Sequence, residues 1–171
     1  MLCLTVIMGT RWSELKGVAM FESVLSKLKK KTAKNIAVFI DGPNMLRKEF
    51  SLDLGKIKGL INKMGTMKIG KVYLNQFAPG KLVEAVINQG FEVSVCVSDI
   101  DVIMAVEATE TVFNQHIDMI CLVTRDSDFL PVIVKAKQHG KDVAVILVDE
   151  SSGAALKNSA DYVIILDKER R

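Results

Sequence analysis

Residues 119–148 read MICLVTRDSDFLPVIVKAKQHGKDVAVILV. Met119–Thr124 and Val143–Val148 are short apolar runs without the polar alternation of a half-exposed strand. Continuous apolarity over so few residues belongs to strands buried on both faces, as in the middle of a parallel sheet. Between them, Phe129–His139 has helical spacing, with Pro131 in its first turn and Gly140 just past its end, where a left-handed cap is expected. The stretch therefore predicts strand, helix, strand, with the two strands parallel.

The same alternation extends in both directions. Further strands are expected at Ile36–Ile40, Lys71–Asn75, Phe91–Val97 and Tyr162–Leu166. Helices are expected at Leu54–Met64, Lys81–Gln89 (closed by Gly90) and Val102–Asn114, with a short one near Ser152–Asn158. Strand–helix alternation of this length predicts an α/β fold, a mainly parallel central sheet with right-handed crossovers and helices on both faces. Length agrees: 171 residues make one domain with perhaps a small extension, enough to bury roughly 70% of the unfolded chain's surface without a disulfide or zinc staple. Apolar residues are 49% and charged residues 25%, with 3 Pro and 11 Gly, which excludes collagen-like, low-complexity and disordered chains.

Residues 1–34 differ from the rest and are set apart as an N-terminal extension, leaving 35–167 as the domain. Trp12, Leu15, Val18, Phe21, Leu25 and Leu28 approach helical spacing, and Lys27, Lys29, Lys30, Lys31 and Lys34 give the segment a basic end. It reads as an amphipathic helix with a basic end for a partner, a membrane surface or nucleic acid, or else as a frayed extension with a solvated lysine run; exposed, its apolar face would invite self-association as a homodimer. Met20 would suffice as a start, so Met1–Ala19 are expected to lie outside the natural protein. The opening MLCLTVIM is too short to cross a bilayer and lacks a signal peptide's basic region and cleavage site; no membrane association is expected, and a cytoplasmic location is. Cys3, Cys96 and Cys121 are odd in number and widely spaced, which predicts inert buried thiols and no structural zinc.

Ligands of open parallel sheets bind at the carboxyl ends of the strands. Three of those ends carry acids: Asp41-Gly42-Pro43-Asn44, Ser98-Asp99-Ile100-Asp101 and Arg125-Asp126-Ser127-Asp128. Each has an ordinary structural use, since Asp101 and Asp128 stand where helix N-caps belong and Asp-Gly-Pro-Asn is common in turns. Yet Ser, Thr or Asn would cap as well, and five Asp on one sheet edge repel one another by about 4 kcal/mol per close pair at an effective dielectric near 20. A hard divalent cation, Mg²⁺ or Mn²⁺, resolves that conflict, and no Cys/His set favours zinc. Such a centre binds phosphate oxygens, activates water and stabilises a leaving oxyanion. Asn44 is placed to hold the water or a phosphate oxygen. No GxGxxG, GxxxxGK[ST] or GxSxG motif offers another chemistry.

Three segments together, Val38-Phe39-Ile40-Asp41-Gly42-Pro43-Asn44, Asp99-Ile100-Asp101-Val102 and Thr124-Arg125-Asp126-Ser127-Asp128-Phe129-Leu130-Pro131, resemble the NYN domain family of PIN-like nucleases, as does the ending Ser152…Leu156…Ala160-Asp161-Tyr162. The resemblance covers about residues 35–166. It implies a three-layer α/β/α PIN-like fold and Mg²⁺- or Mn²⁺-dependent cleavage of RNA. Asp41, Asp101, Asp126 and Asp128 would be the catalytic metal cluster, Asp99 an extra acid beside it, and Asn44 and Ser127 groups facing substrate. Arg47, Lys48, Arg125 and Lys157 are candidates for phosphate contacts or for solvated charge. Glu107 falls where related chains often carry an acid, but its helical phase points away from Asp101. Ser98 and Arg125 depart from the Lys and Gly common near these motifs. A non-catalytic module binding RNA or protein, and a phosphohydrolase of a small nucleotide, remain open alternatives.

Overall fold

A computed structural model describes residues 33–45, 53–149, 151 and 153–166. The N-terminal amphipathic stretch, with the homodimer suggested from it, and Cys3, Arg47 and Lys48 lie outside the described residues. In chain order the elements are β1 (Lys34–Asp41), α1 (Gly42–Met45), α2 (Leu54–Met64), β2 (Gly65–Asn75), α3 (Gly80–Asn88) and β3 (Glu92–Cys96). Then come α4 (Ile100–Val112), β4 (Met119–Val123), a 3-10 turn (Ser127–Phe129), α5 (Leu130–Gln138), β5 (Asp142–Leu147), α6 (Ala154–Ser159) and β6 (Tyr162–Ile165).

The six strands form one sheet in the order β3-β2-β1-β4-β5-β6, and every pairing is parallel. The central strands carry the continuous apolar runs: β4 is buried at all five positions and β5 at five of six. Side chains alternate between the faces. Ile36, Val38 and Ile40 of β1 join α1, α2 and α3 through Met45, Ile57, Ile61 and Val86. Ala37 and Phe39 join α4, α5 and α6 through Met104, Ala108, Ile133 and Leu156. The result is the α/β/α sandwich expected from the sequence, with a wholly parallel sheet. Gly90 and Gly140 take φ of 81° and 71° just past α3 and α5, as left-handed caps.

One strand differs from expectation. β2 begins at Gly65, six residues before the apolar run that starts at Lys71. Its first half alternates, with Thr66 and Lys68 exposed and Met67 and Ile69 half-buried, so it carries no continuous apolar signal. It pairs with β1 from Lys34 onward, and the register shifts between Ile36 and Ala37. Among the described residues, no helix is long and apolar enough to cross a membrane.

Candidate metal centre and cleft

The chain leaves β1 toward β2 on one side and β4 toward β5 on the other, so the loops after β1 and β4 diverge and open a crevice. Asn44, Arg125, Asp126 and Ser127 line an open cleft there of about 340 Å³. Strand alternation carries Asp41 to the face of Ala37 and Phe39, the side on which α4 and the 3-10 turn begin.

Asp41 is the only acid among the described residues that the fold buries almost completely, at 1% exposure. Three donors compensate its carboxylate. The Asn44 side-chain amide donates to Oδ2 at 2.6 Å, the Asn44 backbone N–H to Oδ1 at 3.2 Å, and the Thr124 hydroxyl to Oδ2 at 3.0 Å. Thr124, also fully buried, follows the β4 residue Val123, whose partner on β1 is Ile40, so register alone sets it beside Asp41. Its Oγ1 in turn accepts the backbone N–H of Asp126 at 3.1 Å. One hydroxyl thus couples the acid after β1 to the acids after β4.

The two Asp-x-Asp segments share one local geometry. Asp99 Oδ1 accepts the N–H of Asp101 at 3.0 Å, and Asp126 Oδ1 accepts the N–H of Asp128 at 2.9 Å. Asp99 is the N-cap of α4 and Asp126 that of the 3-10 turn. The capping expected of Asp101 and Asp128 is therefore done by the preceding acid of each pair. The helical turn begins two residues earlier than the sequence pattern suggested, which leaves Asp101 and Asp128 in the first turn, where the helix dipole favours a negative charge.

Asp101 is half-buried, and its carboxyl is pushed up to about 6. Burial contributes most, followed by the charges of Asp41, Asp126, Asp99 and Asp128. Acids from three strand ends therefore act on one carboxyl. They are not gathered into a finished cage: among the described residues, no three His, Cys, Asp or Glu side chains stand close enough to hold an ion as a group. The donor chemistry fits Mg²⁺ or Mn²⁺ nonetheless, since the converging groups are carboxylate oxygens under mutual repulsion. His116 and His139 sit before β4 and β5, at the opposite edge of the sheet. Cys121 is buried inside the sheet, and desolvation pushes its thiol up to about 12.

The remaining candidates occupy distinct places. Asn44 lines the cleft, but its amide N–H₂ is engaged by Asp41, so it acts on the site through that acid. Arg125 and Ser127 line the cleft directly. Lys157 lies in the last turn of α6, a helix that packs against the 3-10 turn. Glu107 faces β2, where it accepts from the Tyr73 hydroxyl at 2.7 Å and from Lys71 Nζ at 2.9 Å. Burial pushes Glu107 up, but these two donors outweigh it and leave the carboxyl below its ordinary range. Nothing in residue type or motif marks Thr124 as a site residue. The signal for it is its place as the first polar residue after a strand paired with β1.

A profile of the NYN domain matches residues 35–167. An uncharacterized protein of Methanocaldococcus jannaschii is 55% identical over 153 residues, which is 86% of this chain and 64% of that protein. The chain thus spans somewhat under two thirds of that relative's length. A crystal structure of a Vibrio parahaemolyticus protein of unknown function superposes with a TM-score of 0.71 at 20% identity, covering 82% of this chain and 97% of that one.

Proposed function

This chain belongs to the NYN domain family of the PIN-like nuclease superfamily, and from that premise we propose that it is a metal-dependent ribonuclease that hydrolyses RNA phosphodiester bonds in the cytoplasm. The observation that carries the proposal is the hydrogen-bonded link from buried Asp41 through Thr124 to Asp126 at the cleft between β1 and β4, with the Asp101 carboxyl raised by burial and by the charges of Asp41, Asp126, Asp99 and Asp128. Asp41, Asp101, Asp126 and Asp128, with Asp99 beside them, would hold Mg²⁺ or Mn²⁺. The ion would supply Lewis-acid stabilisation of the phosphate charge and a water of lowered pKa.

The chain's own residues do the rest. Thr124 and Asn44 fix both oxygens of Asp41, so one acid is set before substrate arrives. The Asx turns at Asp99 and Asp126 aim Asp101 and Asp128 from helix starts, which are rigid supports. Ser127 and Arg125 on the cleft wall offer a hydroxyl and a cation to phosphate oxygens.

Labelled RNA incubated with wild type and with the Asp126→Asn/Asp128→Asn double variant tests the proposal. Cleavage is expected in Mn²⁺, none in EDTA, and a fall of roughly a hundredfold or more in the variant. Cleavage that persists in EDTA, or in the variant at the wild-type rate, would overturn it.

A further inference from the structure

Phe77 stands 80% exposed on the loop between β2 and α3, at the same carboxyl edge of the sheet as the acids. A phenyl ring that exposed gives up most of the burial that normally favours it. The loop backbone that carries it is nevertheless tied by hydrogen bonds. The Phe77 N–H donates to Asn75 Oδ1 at 3.1 Å, the Ala78 N–H to the Asn75 carbonyl at 3.0 Å, and Pro79 then caps α3. The ring borders a depression of about 270 Å³, with Gly42, Pro43, Leu74, Asn75 and Leu82 among its walls. None of the described residues lining it carries a charge. These residues suit a flat neutral group with a polar edge.

Gly42 and Pro43 tie this depression to the acidic cleft. They follow Asp41 directly and precede Asn44, which lines the cleft. The turn therefore has a polar side, with Asp41 and the cleft residues, and an apolar, aromatic side. A polymer with a charged backbone and flat uncharged branches can use both at once. We propose that the Phe77 depression is a nucleobase subsite, taking an unpaired base of single-stranded RNA while a neighbouring phosphate lies in the acidic cleft. The inference rests on the ribonuclease reading and deepens it by placing a contact to a base of the substrate at Phe77, beside the cleft. Stacking within a duplex buries both faces of each base, so a duplex has no face to offer Phe77, whereas an unpaired strand does.

The test is equilibrium binding of a fluorescein-labelled single-stranded 12-mer RNA, with Ca²⁺ replacing Mn²⁺ to suppress cleavage. Wild type, Phe77→Ala and Phe77→Trp are compared, on the intact strand and on one of equal length with abasic sites. Because Phe77 is so exposed, both variants are expected to melt with wild type. Phe77→Ala is expected to bind the intact strand about tenfold more weakly, Phe77→Trp to restore binding, and the abasic strand to bind all three alike. In Mn²⁺ the alanine change raises KM and leaves kcat within twofold. Equal affinity of wild type and Phe77→Ala for the intact strand, or an equal loss on the abasic strand, overturns the subsite. If wild type still cleaves RNA in that case, the ribonuclease reading stands without it. A wild-type protein that neither binds nor cleaves RNA with any divalent cation overturns both.

Discussion

Thr124 carries more of the site than its side chain suggests. It is fully buried, donates to Asp41 and accepts from the Asp126 backbone, so its hydroxyl offsets the burial of one carboxylate and fixes the loop bearing two more. Thr124→Val keeps the shape and deletes both bonds. A lost hydrogen bond to a buried charge costs about 2 kcal/mol. Urea denaturation should show a loss of that size, Thr124→Ser should recover most of it, and a valine variant as stable as wild type would remove Thr124 from this role. Asp101 makes a second prediction at the same scale. Its folded carboxyl titrates near 6, above the ordinary 3.8, so between those values the folded state binds more protons than the unfolded chain. Stability rises with pH only where the unfolded state binds more protons. In metal-free buffer this group therefore contributes a loss of stability as pH climbs from about 4 to about 6. Asp101→Asn should flatten that part of the melting-temperature profile, and an unchanged profile would contradict the crowding of carboxylates around Asp101.

At the scale of elements, the turn after β1 depends on a close approach between backbones. A Cβ at Gly42 would stand 2.3 Å from the Tyr73 carbonyl oxygen and 2.5 Å from Leu74 Cδ2. The oxygen belongs to β2 and cannot yield without moving the strand. Gly42→Ala should cost roughly 1–3 kcal/mol, and it should weaken Mn²⁺ binding because Asp41 moves with the turn. Gly59, inside α2 with open space around its Cα, is the control: Gly59→Ala should stabilise by about 0.5–1 kcal/mol. Calorimetry giving both changes the same sign would refute the packing account. The two glycines look alike in sequence, because what separates them is a strand 31 residues beyond Gly42 that only the fold brings near. The central strands, α2 and the glycine caps of α3 and α5 were legible because burial on both faces and left-handed caps impose local patterns. The early start of β2 was not, since a half-exposed strand end alternates without a continuous run. The acids were legible as a set, but their division of labour was not. Which acid of each Asp-x-Asp caps turns on a two-residue shift in where the helix begins, and propensity does not fix boundaries that finely.

For the whole molecule, the formal charge of +3 arises from 23 basic and 20 acidic residues, too even a balance to hold a polyanion by net attraction. Five of those acids end or follow strands at the carboxyl edge proposed to take RNA, where their charges would repel phosphate. Strand order puts Asp41, Asp126 and Asp128 there, because β1 and β4 are neighbours whose chains leave in opposite directions and their carboxyl ends face one crevice; Asp99 and Asp101 follow β3, two strands from β1. The same placement that makes the edge hostile to RNA makes it attractive to a divalent cation, and a bound cation reverses the local sign. RNA affinity should therefore depend on the cation even where no bond is cut. With Ca²⁺ in place of Mn²⁺, single-stranded RNA should bind at least tenfold more tightly than in EDTA at equal ionic strength. The Asp126→Asn/Asp128→Asn variant, with two of the repelling charges gone, should bind RNA in EDTA more tightly than wild type and gain less from Ca²⁺. Anisotropy titrations separate this from a simple basic-surface account, in which divalent ions only screen and weaken binding. Affinity that is equal or higher in EDTA for wild type would mean that RNA is held away from the acidic crevice.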